Sequence, residues 1–357
     1  MRIVNLPQTV SDVDESSIIS LLNRHYPQPT AGAVKCGIGD DAAILGPGEG
    51  KQLVTVDTLV HGRDFLDSWP CGYRTTGADV GWKSAAQNLS DINAMGGVPL
   101  AGFVTLSLPP QTPLAWVEAY AEGVAAAAHQ LGATTFGVAG GDLSSSAELQ
   151  VGMTVIGQAS HPVLRGGARP GDRVLLAGST PGMAHVGLSL LLSTDQADVA
   201  EGWDAAATAV AAAQLRPRPP LGTGAAAAER LTSLMDVSDG LMRDAARLAA
   251  SSSVVLRLDR DALEREATDL AAWGGRHVRD ALRAVLYGGE DFGLLGTSPS
   301  ELPVPEGFRQ IGVVVPADAK EGLNPAEAGP AGSGVWLGDQ PLSGAAGFDH
   351  FAPSRSD

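Results

Sequence analysis

The stretch TTGADVGWKSAAQNLSDINAMGGVPLAGFVTLSLP, Thr75 to Pro109, changes its hydrophobic period halfway along, and that change decides how the chain is built. From Thr75 to Gly96 small and apolar residues recur at helical spacing, and the Gly96-Gly97 pair stops the helix. Val98 to Pro109 resumes as a strand. Upstream, KQLVTVDTLV (Lys51 to Val60) alternates and is rich in β-formers. Downstream, Thr112-Pro113 caps a helix to about Leu131, which Gly132 stops, and TTFGVAGGD (Thr134 to Asp142) and ELQVGMTVIGQ (Glu148 to Gln158) add two strands.

RGGARPGDRV (Arg165 to Val174) is dense in Gly, Pro and charge and marks a boundary between halves. Beyond it the logic repeats. DRVLLAG (Asp172 to Gly178) is a strand, an apolar helix starts near Met183, and an alanine-rich helix covers Asp204 to Leu215. RPRPP (Arg216 to Pro220) breaks it, a further helix is expected to about Leu234, and MDVSDGL opens another ending near Ala250. Val254 to Leu258, Phe292 to Gly296 and Phe308 to Val315 read as strands, and Pro316 to Gly334 as a Pro/Gly/Ala-rich loop.

At 357 residues the chain exceeds one typical core, so two domains are expected. The net charge of −16 argues against nucleic acid or an anionic membrane as partner. Two cysteines without metal-ligand spacing argue against a disulfide framework or zinc site, and the scattered histidines show no such spacing either. The acidic start lacks a signal-peptide core and no run reaches ~18 apolar residues, which points to a cytoplasmic protein.

Seven acidic motifs carry the chemistry: GIGDDAAIL (Gly37 to Leu45), VTVDTL (Val54 to Leu59), NLSDINAMGG (Asn88 to Gly97), AGGD (Ala139 to Asp142), MDVSDGL (Met235 to Leu241), GGEDF (Gly288 to Phe292) and GFDHF (Gly347 to Phe351). Carboxylates gathered in one cleft repel unless a cation lies between them, and Mg²⁺ carrying a nucleotide triphosphate answers that need. Each motif also has a plain reading. Asp40-Asp41 suits a solvated turn, although the run AAIL behind it makes an unpaired acidic pair costly. Thr55 and Asp57 share a strand face, where edge solubility is the alternative. Lys83, Gln87 and Asp91 share a helix face, where surface i,i+4 pairing explains the first two as well as phosphate contact does. A hairpin would account for Gly140-Gly141, and helix capping for Ser238 or Asp239, but neither accounts for Asp236.

In this order the motifs resemble the thiamine-monophosphate kinase family, of the superfamily that includes aminoimidazole ribonucleotide synthetase and selenophosphate synthetase. The resemblance runs from Gly37 to Phe351. It implies an α+β, two-domain aminoimidazole ribonucleotide synthetase-like fold, with the N-terminal sheet forming a barrel across a homodimer and a C-terminal α/β sandwich domain. Residues 1–160 would bind ATP and Mg²⁺ and dimerise, and residues 161–357 would complete the cleft. It implies ATP as co-substrate, several Mg²⁺ ions, and phosphoryl transfer to thiamine monophosphate without a protein nucleophile. Carried over by position, the metal ligands are Asp41, Thr55, Val56 (through its backbone), Asp57, Asp91, Asp142, Asp236 and Asp239. Nucleotide contacts are Gly141, Arg165 and Ser238, and substrate contacts Asp64, Glu290 and Phe348. Four positions depart from the family pattern: Asp64 for a histidine, Ser144 to Ser146 without an arginine, Gly293 for a glutamate, and Thr180-Pro-Gly-Met183 for a D-x-x-G turn. They keep two alternatives open: a superfamily relative with another acceptor, and a non-catalytic nucleotide-binding regulator.

Overall fold

A computed structural model describes residues 8–30, 32–38, 42–46, 48, 50–317 and 333–342. Helix α1 (Glu15–His25) leads to a small ladder of β1 (Val34–Cys36) and β2 (Ile44–Leu45). Then come β3 (Lys51–Val60), α2 (Gly77–Ala94), β4 (Val98–Leu108), α3 (Leu114–Gln130), β5 (Gly137–Ser145) and β6 (Gln150–Ala159). The four strands form one sheet in the order β3-β6-β4-β5, with only the β4–β5 pair parallel. Period two shows in its burial: Leu53 and Leu59 are buried beneath α2 and α3, whereas Val54 and Val56 are 66% and 65% exposed on the open face.

The second half holds β7 (Arg173–Ala177), α4 (Met183–Leu191), α5 (Ala205–Leu215), α6 (Thr223–Ala227), β8 (Ser233–Val237), α7 (Leu241–Ser252) and β9 (Val254–Leu258). It continues through α8 (Arg260–Gly274), α9 (Ala281–Tyr287), β10 (Gly293–Ser298), β11 (Phe308–Pro316), β12 (Gly334–Leu337) and β13 (Gln340–Leu342). Its strands form a seven-stranded mixed sheet in the order β13-β12-β9-β11-β7-β10-β8. Each half has its own large apolar core.

Helix α2 joins the halves, which is why its residues are small. A Cβ on Gly81 would lie 2.0 Å from the Tyr120 carbonyl oxygen of α3, so only glycine permits that approach. Its opposite flank meets the second half: Trp82 Nε1 donates to the Pro217 carbonyl at 2.7 Å, Asn93 Nδ2 to the Pro220 carbonyl at 3.0 Å, and Arg216 pairs with buried Asp79 at 2.7 Å.

Several expectations need correction. Thr112 is buried and Pro113, without a side-chain bond, is the cap of α3. No helix continues to Leu234; α6 is five residues long, and Leu234 lies in β8, where a buried apolar run extends as a strand. Helices α1, α8 and α9 and strands β12 and β13 were not foreseen. The expected loop after Pro316 falls largely outside the described residues.

Candidate active site

The edge strand β3, the last turns of α2 and strand β8 meet where the halves join, and each brings a carboxylate. Asp57 projects from β3 on the helix-covered face, as its alternation with Thr55 requires, Asp91 from α2 and Asp236 from β8. Thr55 Oγ1 donates to Asp91 Oδ2 at 2.5 Å and Ser90 Oγ to Asp236 Oδ2 at 3.1 Å. Burial and repulsion by Asp91 push the Asp57 carboxyl up to about 7. Burial also raises Asp91, against hydrogen bonds from Thr55 and Asp57 and the nearby charge of Arg165. Asp236 is raised well above the ordinary range by burial, then by Asp91 and Asp244. Three carboxylates that hold protons this tightly are short of a cation.

This donor set suits Mg²⁺, which takes hard oxygen ligands and keeps part of its shell for water and phosphate. Among the described residues the three oxygens do not close within 4.8 Å of one another, so they do not form an all-protein cage. The set within that distance is His25, Glu118 and Glu122, where the imidazole is 3.0 Å from Glu118 and clamps α1 to α3.

The other expected ligands divide. Val56 turns its side chain to the open face, so only its backbone faces toward the site, on an edge strand. Gly140, Gly141 and Asp142 lie inside β5 rather than in a loop: Gly141 pairs with Val104 and Asp142 with Thr105. Because Thr105 is exposed on the open face, its neighbour Asp142 shares that face and takes a hydrogen bond from Ser144 at 3.2 Å. Three strand spacings, ~14 Å, separate it from the strand of Asp57. One chain does not bring Asp142 to the cluster. Asp239 precedes the cap of α7 and is engaged by Arg247 at 2.6 Å and Arg243 at 3.8 Å. Ser238 does not cap that helix; Gly240, at φ 109°, is the cap, and a Cβ there would lie 2.8 Å from the Tyr287 carbonyl. Asp41 and Phe348 lie outside the described residues.

The GGED segment packs on this turn. Glu290 N–H donates to the Ser238 carbonyl at 2.7 Å and Phe292 N–H to Val237 at 3.1 Å. Glu290 and Phe292 both have positive φ, 68° and 53°, strain held by what lies between them. Asp291 accepts from the N–H groups of Gly182 and Ala184 at 2.5 and 2.8 Å, and burial pushes its carboxyl to about 7. Glu290 is thereby aimed across the junction, where Lys83 Nζ lies 2.6 Å from Oε1 and Gln214 Nε2 2.5 Å from Oε2. Lys83 is 4% exposed, so surface pairing does not describe it. Gln214 and buried Asp244, which accepts the Asp239 N–H at 3.0 Å, were not singled out from the sequence, and Asp291 was legible only as half of the GGED acidic pair. Asp64 folds back: its Oδ2 accepts the Val60 N–H at 2.7 Å.

Residues 39–159 match the family of AIR synthase related protein, N-terminal domain, and residues 169–318 that of the C-terminal domain. The thiamine-monophosphate kinase of Mycobacterium tuberculosis (strain H37Rv) is 36% identical over 322 residues, covering 87% of this chain and 88% of that protein. The chain belongs to the thiamine-monophosphate kinase family. Among solved structures, AaThiL complexed with AMPPCP and TMP superposes with a TM-score of 0.70 at 29% identity, covering 88% of this chain and 92% of that one. The thiamine-monophosphate kinase of Stenotrophomonas maltophilia K279a gives 0.71 at 27% identity, with 94% and 99% covered. Of the four departures, Gly293 follows the Glu290 turn and pairs with Val237 next to Asp236, the Asp64 carbonyl is 3.5 Å from Lys83 Nζ, and Ser144 and Ser145 lie in the edge strand β5. The altered turn at Thr180 to Met183 is the one Asp291 ties down.

Proposed function

We propose that this protein transfers the γ-phosphoryl group of ATP to the phosphate of thiamine monophosphate, giving thiamine diphosphate and ADP. The observation that carries the reading is the proton-retaining cluster of Asp57, Asp91 and Asp236 at the junction of the halves, with Arg165 beside it. Mg²⁺ bound there would neutralise the carboxylates and the triphosphate together. Asp57, Asp91 and Asp236 would hold it, with Asp41, Thr55, the Val56 backbone, Asp142 and Asp239 completing the set. Gly141, Arg165 and Ser238 would place the nucleotide, and Glu290 and Phe348 the acceptor, while Asp64, at the third position expected to touch the acceptor, is turned onto the Val60 N–H instead. An acceptor phosphate oxygen is already anionic, so the protein's task is alignment and exclusion of water, not activation of a nucleophile.

We further propose a homodimer. The open sheet face exposes Val54 and Val56 on an edge strand, which closure against a second copy would cover. If β5 of one copy lies along β3 of the other, Gly141 and Asp142 are brought beside the partner's β3, which they do not reach in their own chain. Among the described residues no helix is long and apolar enough to cross a membrane; a cytoplasmic location is part of this reading.

A mass-resolved assay for thiamine diphosphate, with ATP and Mg²⁺, tests the activity. Product at a rate dependent on both substrates is expected; ADP release without it overturns the acceptor. The orientation of Asp64, turned onto its own backbone, favours a second reading with another phosphate-bearing acceptor, which an acceptor panel would reveal.

A further inference from the structure

Gln214, the penultimate residue of α5, is 3% exposed, and while its Nε2 donates to Glu290, its buried Oε1 has no partner. The amide cannot be turned round, because a flipped carbonyl oxygen would face a carboxylate. A buried acceptor left unpaired costs ~1–3 kcal/mol, so the position favours a ligand that brings a donor. Gln214 lines a crevice with Lys83 and the apolar side chains of Leu59, Phe65, Trp69 and Leu215. Its volume is about 10 Å³. That is room for one amino group, not for a ring.

Helix α2 supplies a ruler. Lys83 and Asp91 lie on one face eight residues apart, ~12 Å at 1.5 Å per residue. The Lys83–Glu290–Gln214 group is therefore too far from the carboxylate cluster to touch the phosphate that accepts the γ-phosphoryl group. An extended acceptor whose phosphate sits at the carboxylate cluster would bring its far end to this group. Lys83, neutralised by Glu290, positions that carboxylate rather than holding a phosphate.

Resting on the thiamine monophosphate reading above, we infer that Gln214 selects the acceptor by the exocyclic amino group of its aminopyrimidine ring. The amino group enters the crevice and its N–H donates to the buried Gln214 Oε1, with Glu290 and Lys83 fixing the amide so that only its acceptor end is offered. A carbonyl in place of the amino group would set two oxygens against each other.

The test compares the parent protein and Gln214→Met with thiamine monophosphate and its 4-oxo analogue. The parent is expected to favour the amino compound by ~10- to 100-fold in kcat/KM. Gln214→Met, similar in volume, should lose that preference to within about twofold while its KM for ATP stays unchanged. A parent that uses both compounds equally, or a variant that keeps the preference, overturns the inference and leaves the kinase reading standing. Should the variant fail to fold, the parent's ratio decides alone. A parent that phosphorylates neither compound overturns the acceptor reading itself.

Discussion

Replacing Asp57 with asparagine separates what this carboxylate costs the fold from what it does for the reaction. Burial and Asp91 hold its carboxyl at about 7 against 3.8 for a free aspartate. At 1.36 kcal/mol per pH unit that gap bounds the cost of ionising it in the fold at ~4 kcal/mol. Solvent screening of a partly exposed group brings the figure down to ~1–2 kcal/mol. Asparagine keeps the size and a hydrogen-bonding side chain and removes one of three crowded charges. At pH 8 in chelator, Asp57→Asn should therefore melt ~1–3 °C above the parent. In saturating Mg²⁺ and ATP the parent gains more than the variant, because a ligand stabilises the fold in proportion to its binding. Turnover should fall by ~10²-fold or more. Thermal melts in chelator and in Mg²⁺, run beside an ADP-release assay, check both halves. A variant that melts below the parent in chelator, or keeps full turnover at saturating Mg²⁺, refutes the reasoning.

The raised groups also set the pH dependence. Asp57, Asp91, Asp236 and Asp291 bind a proton more tightly folded than unfolded, so their stabilisation is complete below 3.8 and is lost as pH rises, through about 7 for Asp57 and Asp291. Chelated protein should melt lower at pH 8 than at pH 5; a flat profile contradicts this. Lys83→Met leaves Glu290 without its cation, and KM for thiamine monophosphate should rise ~10-fold or more with KM for ATP unchanged; an unaltered KM would remove Glu290 from the acceptor site. Asp64→His breaks the bond to the Val60 N–H and should cost ~1 kcal/mol in a melt while moving that KM less than about threefold; a large fall would show that Asp64 faces the acceptor after all. Mixing Asp57→Asn with Asp142→Asn chains tests the shared site. Statistical heterodimers should recover about a quarter of parental activity if Asp142 serves the partner's cluster, and none if it serves its own.

Where the sequence carried a period it could be read. The helix from Thr75, the strands on either side of it and the alanine-rich helix to Leu215 appear within a few residues of expectation, since Gly, Pro and alternation mark their ends. The turn between β8 and α7 was misread because Ser-Asp-Gly looks like a cap, yet Gly240 fills the left-handed position and Ser238 offers its carbonyl to Glu290. Asp57, Asp91 and Asp236 were legible because aspartate ending an apolar run has few structural uses. Gln214 was not, since its importance comes from a partner 76 residues away, and for Asp291 the GGED motif shows an acidic pair but not its bonds to Gly182 and Ala184, 107–109 residues away.

The face on which a residue lies decides more than its motif. Asp142 belongs to as strong a motif as Asp57, yet cross-strand pairing puts Asp57 in the row of Met153, Val104 and Gly141, beneath the helices, and Asp142 in the row of Thr105 and Gly152, on the open side. No rotamer change carries a side chain through a sheet. Asp142 therefore faces a surface that only another molecule can close, and covering a carboxylate there is unfavourable unless a cation is buried with it.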